Sequence, residues 1–218
     1  SIDAVVIATP IDTHFEIAKK AIEKGKKVFL EKPMASNLRD ACELMDISDG
    51  KFLFVGHIFL YTPCYEMIKE LVFGDPVVDL EFNWNKFGTF NEDIFLNLVS
   101  QDLSVACGLL GKLPEDVKLI KDSAVISDSD IVSLELKYKD GENCKININR
   151  VNPQKRKEIR IKTKSGKVYY WVDDKILGLD KEKKSFRVLF DSSDEPLGNE
   201  VGKFLGHLKN NREPLMNK

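Results

Sequence analysis

The 218-residue sequence has no long hydrophobic run. No apolar stretch approaches the ~20 residues that cross a bilayer as a helix, which excludes a helical membrane span. No charged segment leads into an apolar core, so no secretory leader is visible. An excess of one charge is also missing. The 33 basic and 35 acidic residues give a formal net charge of −2, so nothing electrostatic draws the chain to nucleic acid or to an anionic membrane. Cysteine is sparse. Cys42, Cys64, Cys107 and Cys144 show no close spacing, which argues against a disulfide scaffold or a metal site and fits a reducing, cytoplasmic setting. What is present, 43% hydrophobic and 31% charged residues, is the composition of a globular protein with one large or two small domains.

The first sixty residues alternate between strand and helix signals. Ala4–Ala8 (AVVIA) is a continuous apolar run, the pattern of a strand buried on both faces. Few domains open on a central strand, so further chain is expected upstream. Thr13 followed by Glu16 has the spacing of a capping box, and Ile17, Ala18, Ala21 and Ile22 fall on one helical face that Gly25 would end. KVFL is a second strand, closing on Glu31-Lys32-Pro33. Asn37 can cap a second helix with Ala41, Leu44 and Met45 inward, and KFLFVGH is a third strand. Strands joined by helical crossovers are parallel, and their carboxyl ends form a ligand crevice. Thr9-Pro10, Glu31-Lys32-Pro33 and Gly56-His57 lie at those ends. Neighbouring strand residues point to opposite faces, which weakens a simple Glu31–Lys32 surface pair. Pro33 holds Lys32 extended and raises the chance of a cis bond.

The stretch AVVIATPIDTHFEIAKKAIEKGKKVFLEKPMA resembles the second half of the nucleotide-binding domain of Gfo/Idh/MocA oxidoreductases. The shared pattern is A-T-P, a histidine on the next helical turn, G-K-x-V and E-K-P. It falls here on Thr9, Pro10, His14, Gly25, Lys26 or Lys27, Glu31, Lys32 and Pro33. The resemblance implies an NAD or NADP cofactor whose nicotinamide and ribose lie beside Thr9, Pro10, His14, Glu31 and Pro33. It implies that Lys32 meets the reacting hydroxyl or carbonyl. The family's glycine-rich G-x-G-x-x-G turn occurs nowhere in the chain. The chain is therefore expected to carry only the C-terminal half of a Rossmann domain (residues 1–58), and its closing segment EVGKFLGHLKNNREPLMNK is expected to continue.

Residues 59–218 are expected to form an α+β domain with a mostly antiparallel open sheet. Thr62-Pro63 starts a helix with Met67, Ile68, Leu71 and Val72 on its apolar face. VDLEFNWNKF alternates, with Val78, Leu80, Phe82 and Trp84 on one face. IVSLELKY and CKININR turn at Asp140-Gly141, EIRIKTKSGKVYYWV turns at Ser165-Gly166, and SFRVLF adds an edge strand. This half resembles a branch of the same family that acts on UDP-N-acetylglucosamine. The resemblance lies in VGHIFLYTP, NRVNPQKRKEIRI and NLVSQDLSVACGLLG.

The departures fall where chemistry is expected. On a helix from about Leu96 to Leu110, the family's aspartate and histidine fall on Asn97 and Gln101. Their four-residue spacing puts both on one face, expected toward the cofactor. A glutamine amide cannot carry a proton near neutral pH. His57, Tyr61 or a water relayed by Lys32 would then replace the histidine. Asp102 matches the branch pattern and is either a substrate contact or a solvated, capping carboxylate. Lys155 and Arg156 either meet a substrate diphosphate or end a charged hairpin.

Two function classes follow. One is an NAD(P)-dependent oxidoreductase moving a hydride between a sugar or nucleotide-sugar carbon and nicotinamide. The other is a catalytically weakened relative that binds a nucleotide sugar in regulation or assembly. The resemblance also implies a homodimer through the open face of the second sheet. That face carries Asp79, Glu81, Asn83, Glu135, Lys137, Lys145, Asn147, Glu158, Arg160 and Lys162, so the contact is expected to be wet and salt-sensitive.

Overall fold

The computed structural model describes residues 2–49, 51–192 and 195–210. The chain divides into two units, residues 1–61 with 195–218, and residues 62–194. The division expected from sequence ran the second half from 59 to the end. In the structure the final helix instead returns to the first unit.

In the first unit, strands β1 (Ala4–Ile7), β2 (Lys27–Glu31) and β3 (Leu53–Gly56) form a parallel sheet in that order. Helices α1 (His14–Glu23) and α2 (Leu38–Ile47) are its crossovers. The middle strand is buried on both faces. Val28 and Leu30 join Ile7, Ala18, Ala21, Ile22, Leu44, Leu53 and Val55 in one core. Phe29 points the other way, into an aromatic cluster with Phe52, Phe54 and Phe204. Phe204 belongs to α5 (Pro196–Asn210) and meets Phe29 edge-on at 5.3 Å between centroids. Aromatic pairs in this geometry stabilise beyond the area they bury, which is why α5 packs here.

Local signals explain most of these bounds, with some corrections. Gly25 (φ 68°) ends α1: Lys26 N donates to Ala21 O at 3.0 Å and Gly25 N to Ile22 O at 2.9 Å, both bonds of a Schellman motif. Asn37 caps α2 by accepting from Asp40 N at 3.0 Å. The capping box at Thr13 does not form. A 3-10 turn over Ile11–Thr13 precedes α1, and the Thr13 hydroxyl donates instead to Pro10 O and Thr9 Oγ1, each at 2.7 Å. Ile17 and Met45, expected inward, are exposed. His14 takes the buried position on α1, and Ile47 packs against the core beside Leu44.

In the second unit, α3 (Pro63–Leu71) starts where Thr62 Oγ1 accepts from Tyr65 N at 3.2 Å. An eight-stranded sheet follows. Its strands are β4 (Val77–Phe87), β5 (Asp116–Ser123), β6 (Ile131–Lys137), β7 (Asn143–Asn149), β8 (Val151–Thr163), β9 (Val168–Val172), β10 (Lys175–Asp180) and β11 (Ser185–Asp191). Their spatial order is β11-β10-β9-β8-β4-β7-β6-β5, antiparallel except where β4 lies parallel to β7. Leu80, Phe82 and Trp84 are buried as the alternation predicts. Val78 is not in phase: a register shift between Val77 and Asp79 buries Val77 instead. Asp75 fastens the Ser165-Gly166 turn, accepting from Ser165 N at 3.0 Å and Thr163 Oγ1 at 2.8 Å. On the open face Arg160 reaches Asp79 and Glu81, each at 2.8 Å, and Asn147 Nδ2 donates to Asn83 at 3.1 Å. Among the described residues no helix is long and apolar enough to cross a membrane.

Candidate active site

The carboxyl ends of β1, β2 and β3 gather most of the first-unit candidates. Thr9-Pro10 follows β1, Glu31-Lys32-Pro33 closes β2, and Gly56-His57 closes β3. The Lys32–Pro33 peptide bond is cis. His14 ties two of these ends together. It is buried, with Nδ1 2.9 Å from Pro33 O and Nε2 2.8 Å from Thr9 O. A solvated first-turn histidine would make neither contact, and both ring nitrogens are engaged by backbone.

His57 is half-buried beside Lys32. Burial, reinforced by the Lys32 ammonium, pulls its imidazole down to about 4, so the ring is neutral at pH 7. Among the described residues no group reaches its buried Nδ1. Tyr61, in the 3-10 turn Ile58–Tyr61, stacks on Phe54 at 5.4 Å.

The second unit holds the remaining candidates. Loop 88–93 leads into a helix that opens with one π turn (Phe95–Val99) and continues as α4 (Ser100–Leu110). Asp93 Oδ1 caps it, accepting from Phe95 N at 2.8 Å and Leu96 N at 2.9 Å. Arg150 braces the loop from behind, donating to Thr89 O at 2.8 Å and Glu92 O at 2.6 Å while its Nε meets Asp130 at 3.0 Å. Asn97 and Gln101 are both buried on one face, as their spacing predicts, and Gln101 Nε2 donates to Asn97 O at 2.9 Å. Asp102 is neither solvated nor a cap. It is fully buried, and its carboxylate meets Lys157 Nζ at 2.8 Å. Burial pushes the Asp102 carboxyl up, and the Lys157 ammonium opposes that. Lys157 itself lies 3.8 Å from the Trp84 ring centroid, over its partner in the β4–β8 register.

Lys155 and Arg156 are exposed on β8. Arg156 pairs with Glu158 and lines a shallow hollow on the open face with Asn83, Asn85, Asn147 and Asn149. The structure does not bring it to Asp102, because adjacent strand residues face opposite ways.

Residues 1–57 match the family model described as "Oxidoreductase family, NAD-binding Rossmann fold". Through this stretch the chain is similar to the Gfo/Idh/MocA oxidoreductases. It is similar to the UDP-N-acetylglucosamine 3-dehydrogenase of Acidithiobacillus ferrooxidans, 27% identical over 164 residues that cover 73% of this chain and 52% of that protein. It is also 30% identical to the scyllo-inositol 2-dehydrogenase (NAD(+)) of Bacillus subtilis, over 50% of this chain and 36% of that one. The chain thus spans about half the length, or less, of these relatives. A solved structure of the Acidithiobacillus enzyme superposes with a TM-score of 0.87, covering 97% of this chain and 71% of that one at 22% identity, a likeness of fold.

Two buried groups were not singled out in sequence. Lys157 sits in phase with the inward Ile159 and Ile161, so extending the alternation two residues back would have found it. Glu200 lies four residues before Phe204 on the inward stripe of α5, an acid where an apolar residue is expected.

Proposed function

We propose that the protein is an NAD(P)-dependent dehydrogenase, moving a hydride between a hydroxyl-bearing carbon of a sugar or nucleotide sugar and nicotinamide. The observation that carries this is the Glu31-Lys32-Pro33 corner with His57 beside Lys32, inside the stretch that matches an NAD-binding family. The residues present suit the nicotinamide and ribose end of a dinucleotide. The Thr9 hydroxyl is exposed, the Glu31 carboxylate can accept from ribose hydroxyls, and His14 holds Thr9 and Pro33 in register. No residue is assigned to the pyrophosphate, since the chain carries no glycine-rich turn. When bound, the nicotinamide supplies the hydride acceptor.

Lys32 then donates a hydrogen bond to the reacting oxygen and stabilises the charge that develops on it. His57 is too weak a base at about 4 to take that proton at pH 7. Its part is to keep a neutral ring beside Lys32. In the oxidation direction Lys32 takes the hydroxyl proton as a neutral amine, and in the reduction direction its ammonium gives that proton back to the carbonyl oxygen. A nucleotide-sugar substrate is favoured by the likeness to UDP-N-acetylglucosamine 3-dehydrogenase.

A second function has one observation in its favour. Gln101 stands where the family histidine is expected and its amide is turned onto Asn97 O, which suits a protein that binds a sugar nucleotide without fast turnover. Nicotinamide absorbance decides between the two. Full-length protein with UDP-N-acetylglucosamine and NAD or NADP should show reduction of the cofactor. Tight sugar binding without any absorbance change would favour the binding role.

We also propose a homodimer through the open sheet face. The face is charged, with Arg160 beside Asp79 and Glu81, so light scattering across a salt series should show a dimer that weakens as salt rises. A dimer unmoved by high salt and dilution would mean that another face is buried.

A further inference from the structure

Glu200, on α5, is fully buried. Its carboxyl rests against Gly56 at the end of β3. A Cβ placed on Gly56 would lie 3.4 Å from Glu200 Oε1 and 3.1 Å from Phe29 Cζ, so the glycine makes room for both. Gly56 is the register partner of Glu31 on β2, which puts Glu200 behind the Glu31-Lys32-Pro33 corner. Among the described residues no donor reaches either Glu200 oxygen. A buried carboxylate with neither N–H nor cation takes up a proton rather than bear the charge.

The surrounding groups do not relieve it. β2 contributes Glu31 at this end. At its other end Lys27 donates its ammonium to Leu208 O. The end of β3 contributes His57, held neutral beside Lys32. The turn that follows contributes Tyr61, stacked on Phe54, and α5 itself carries Lys203 and His207, the latter beside Phe54. Burial first, then the Glu31 carboxylate, pushes Glu200 up to about 7.

We propose that Glu200 is a positioning residue for the Glu31-Lys32-Pro33 corner: a neutral acid while the corner holds an anionic dinucleotide, and a second negative charge behind Glu31 when it does not. This rests on the cofactor assignment of that corner made above. Ionisation releases one proton to solvent and leaves two carboxylates near each other at low local dielectric. That displaces Glu31 and adds negative potential where the dinucleotide docks.

Difference infrared spectroscopy on the full-length protein should show a carboxylic-acid C=O stretch that titrates near neutral pH and disappears in Glu200→Gln. Its midpoint should fall in Glu31→Gln. NADH affinity, read by fluorescence, should drop roughly three- to tenfold between about pH 6 and about pH 8 in the wild type. In Glu200→Gln, where the amide keeps the shape and stays neutral, the drop should vanish. A purely structural Glu200 would alter melting and leave the pH slope of affinity in place, and an unchanged slope overturns the proposal. So does the absence of a titrating band. Should Glu200→Gln fail to fold, a wild-type midpoint unmoved by Glu31→Gln overturns it as well. If the band titrates as expected but the wild type binds neither NADH nor NADPH, the cofactor assignment fails and the positioning role falls with it.

Discussion

In the second unit, buried charges meet opposite charges: Asp102 with Lys157 at 2.8 Å, and Asp130 with Arg150 at 3.0 Å. In the first unit, His57 Nδ1 and both Glu200 oxygens meet no partner among the described residues; in the second, the Tyr138 hydroxyl and one Glu142 oxygen are in the same position, but neither belongs to a strand end of the parallel sheet. Removing one member of a buried pair strands its partner, so such pairs lock geometry. An unsatisfied group at a strand end does the reverse. It keeps a local cost that a ligand, a water or a proton can relieve, and it lets pH reach the site. The second unit is therefore a scaffold whose ionic contacts hold a helix and a loop in place. In the first unit burial shifts His57 down and Glu200 up, and no opposite charge among the described residues offsets either.

The largest expected effect tests whether Lys32 is chemical. Lys32→Ala should lower turnover by ~10²–10⁴-fold and leave cofactor affinity within a few-fold. Activity near wild type would remove Lys32 from the mechanism. Next, Lys157→Met should destabilise the protein by about 3–5 kcal/mol in urea melts, because Asp102 is left alone and buried. Adding Asp102→Leu should recover much of that loss. Additive losses would mean the pair is not coupled.

The pH behaviour of the first unit comes third. His57 has an ordinary value of 6.5 and a folded value of about 4, so its stabilising contribution is present above 6.5 and lost as pH falls towards 4. Glu200 runs the other way, from 4.5 to about 7: its contribution is present below 4.5 and lost as pH rises through 7. Each is on the order of 3–4 kcal/mol. In the wild type the two slopes oppose each other. Glu200→Gln should unmask stability that rises with pH between about 4 and 6.5, and His57→Gln stability that falls between 4.5 and about 7. Parallel slopes in the two variants would separate these groups from the unit's stability. The smallest effect tests the second unit. Asn97→Asp with Gln101→His should raise turnover about tenfold if the missing proton carrier limits the rate. No gain would place the proton path elsewhere.

The parallel unit was legible because its signals are local: a glycine stop, an asparagine cap, E-K-P. AVVIA is a strand as read, but it lies at the edge of the sheet with Val6 exposed rather than buried on both faces. Elements whose signals are weak or distant were not. β5 (DVKLIKDS) is an exposed edge strand, and a register shift between Leu119 and Lys121 breaks its alternation. β10 is short and carries Gly178 inside it, where strand propensity is poor. The place of α5 depends on phenylalanines about 150 residues upstream of Phe204, which no window of sequence reveals. At the site, the Asn97/Gln101 spacing was readable from helix geometry alone. The pairing of Asp102 was not, because its partner comes from a strand whose charged run looks solvated.

The return of α5 sets an order for synthesis. Phe29, Phe52 and Phe54 leave the ribosome well before Phe204, with residues 62–194 in between. At typical elongation rates that delay is on the order of ten seconds. The second unit has all its strands by then and can fold first. The first unit waits with an uncovered aromatic face, so a nascent chain stalled before residue 196 should be held by chaperones, and release of α5 should free it.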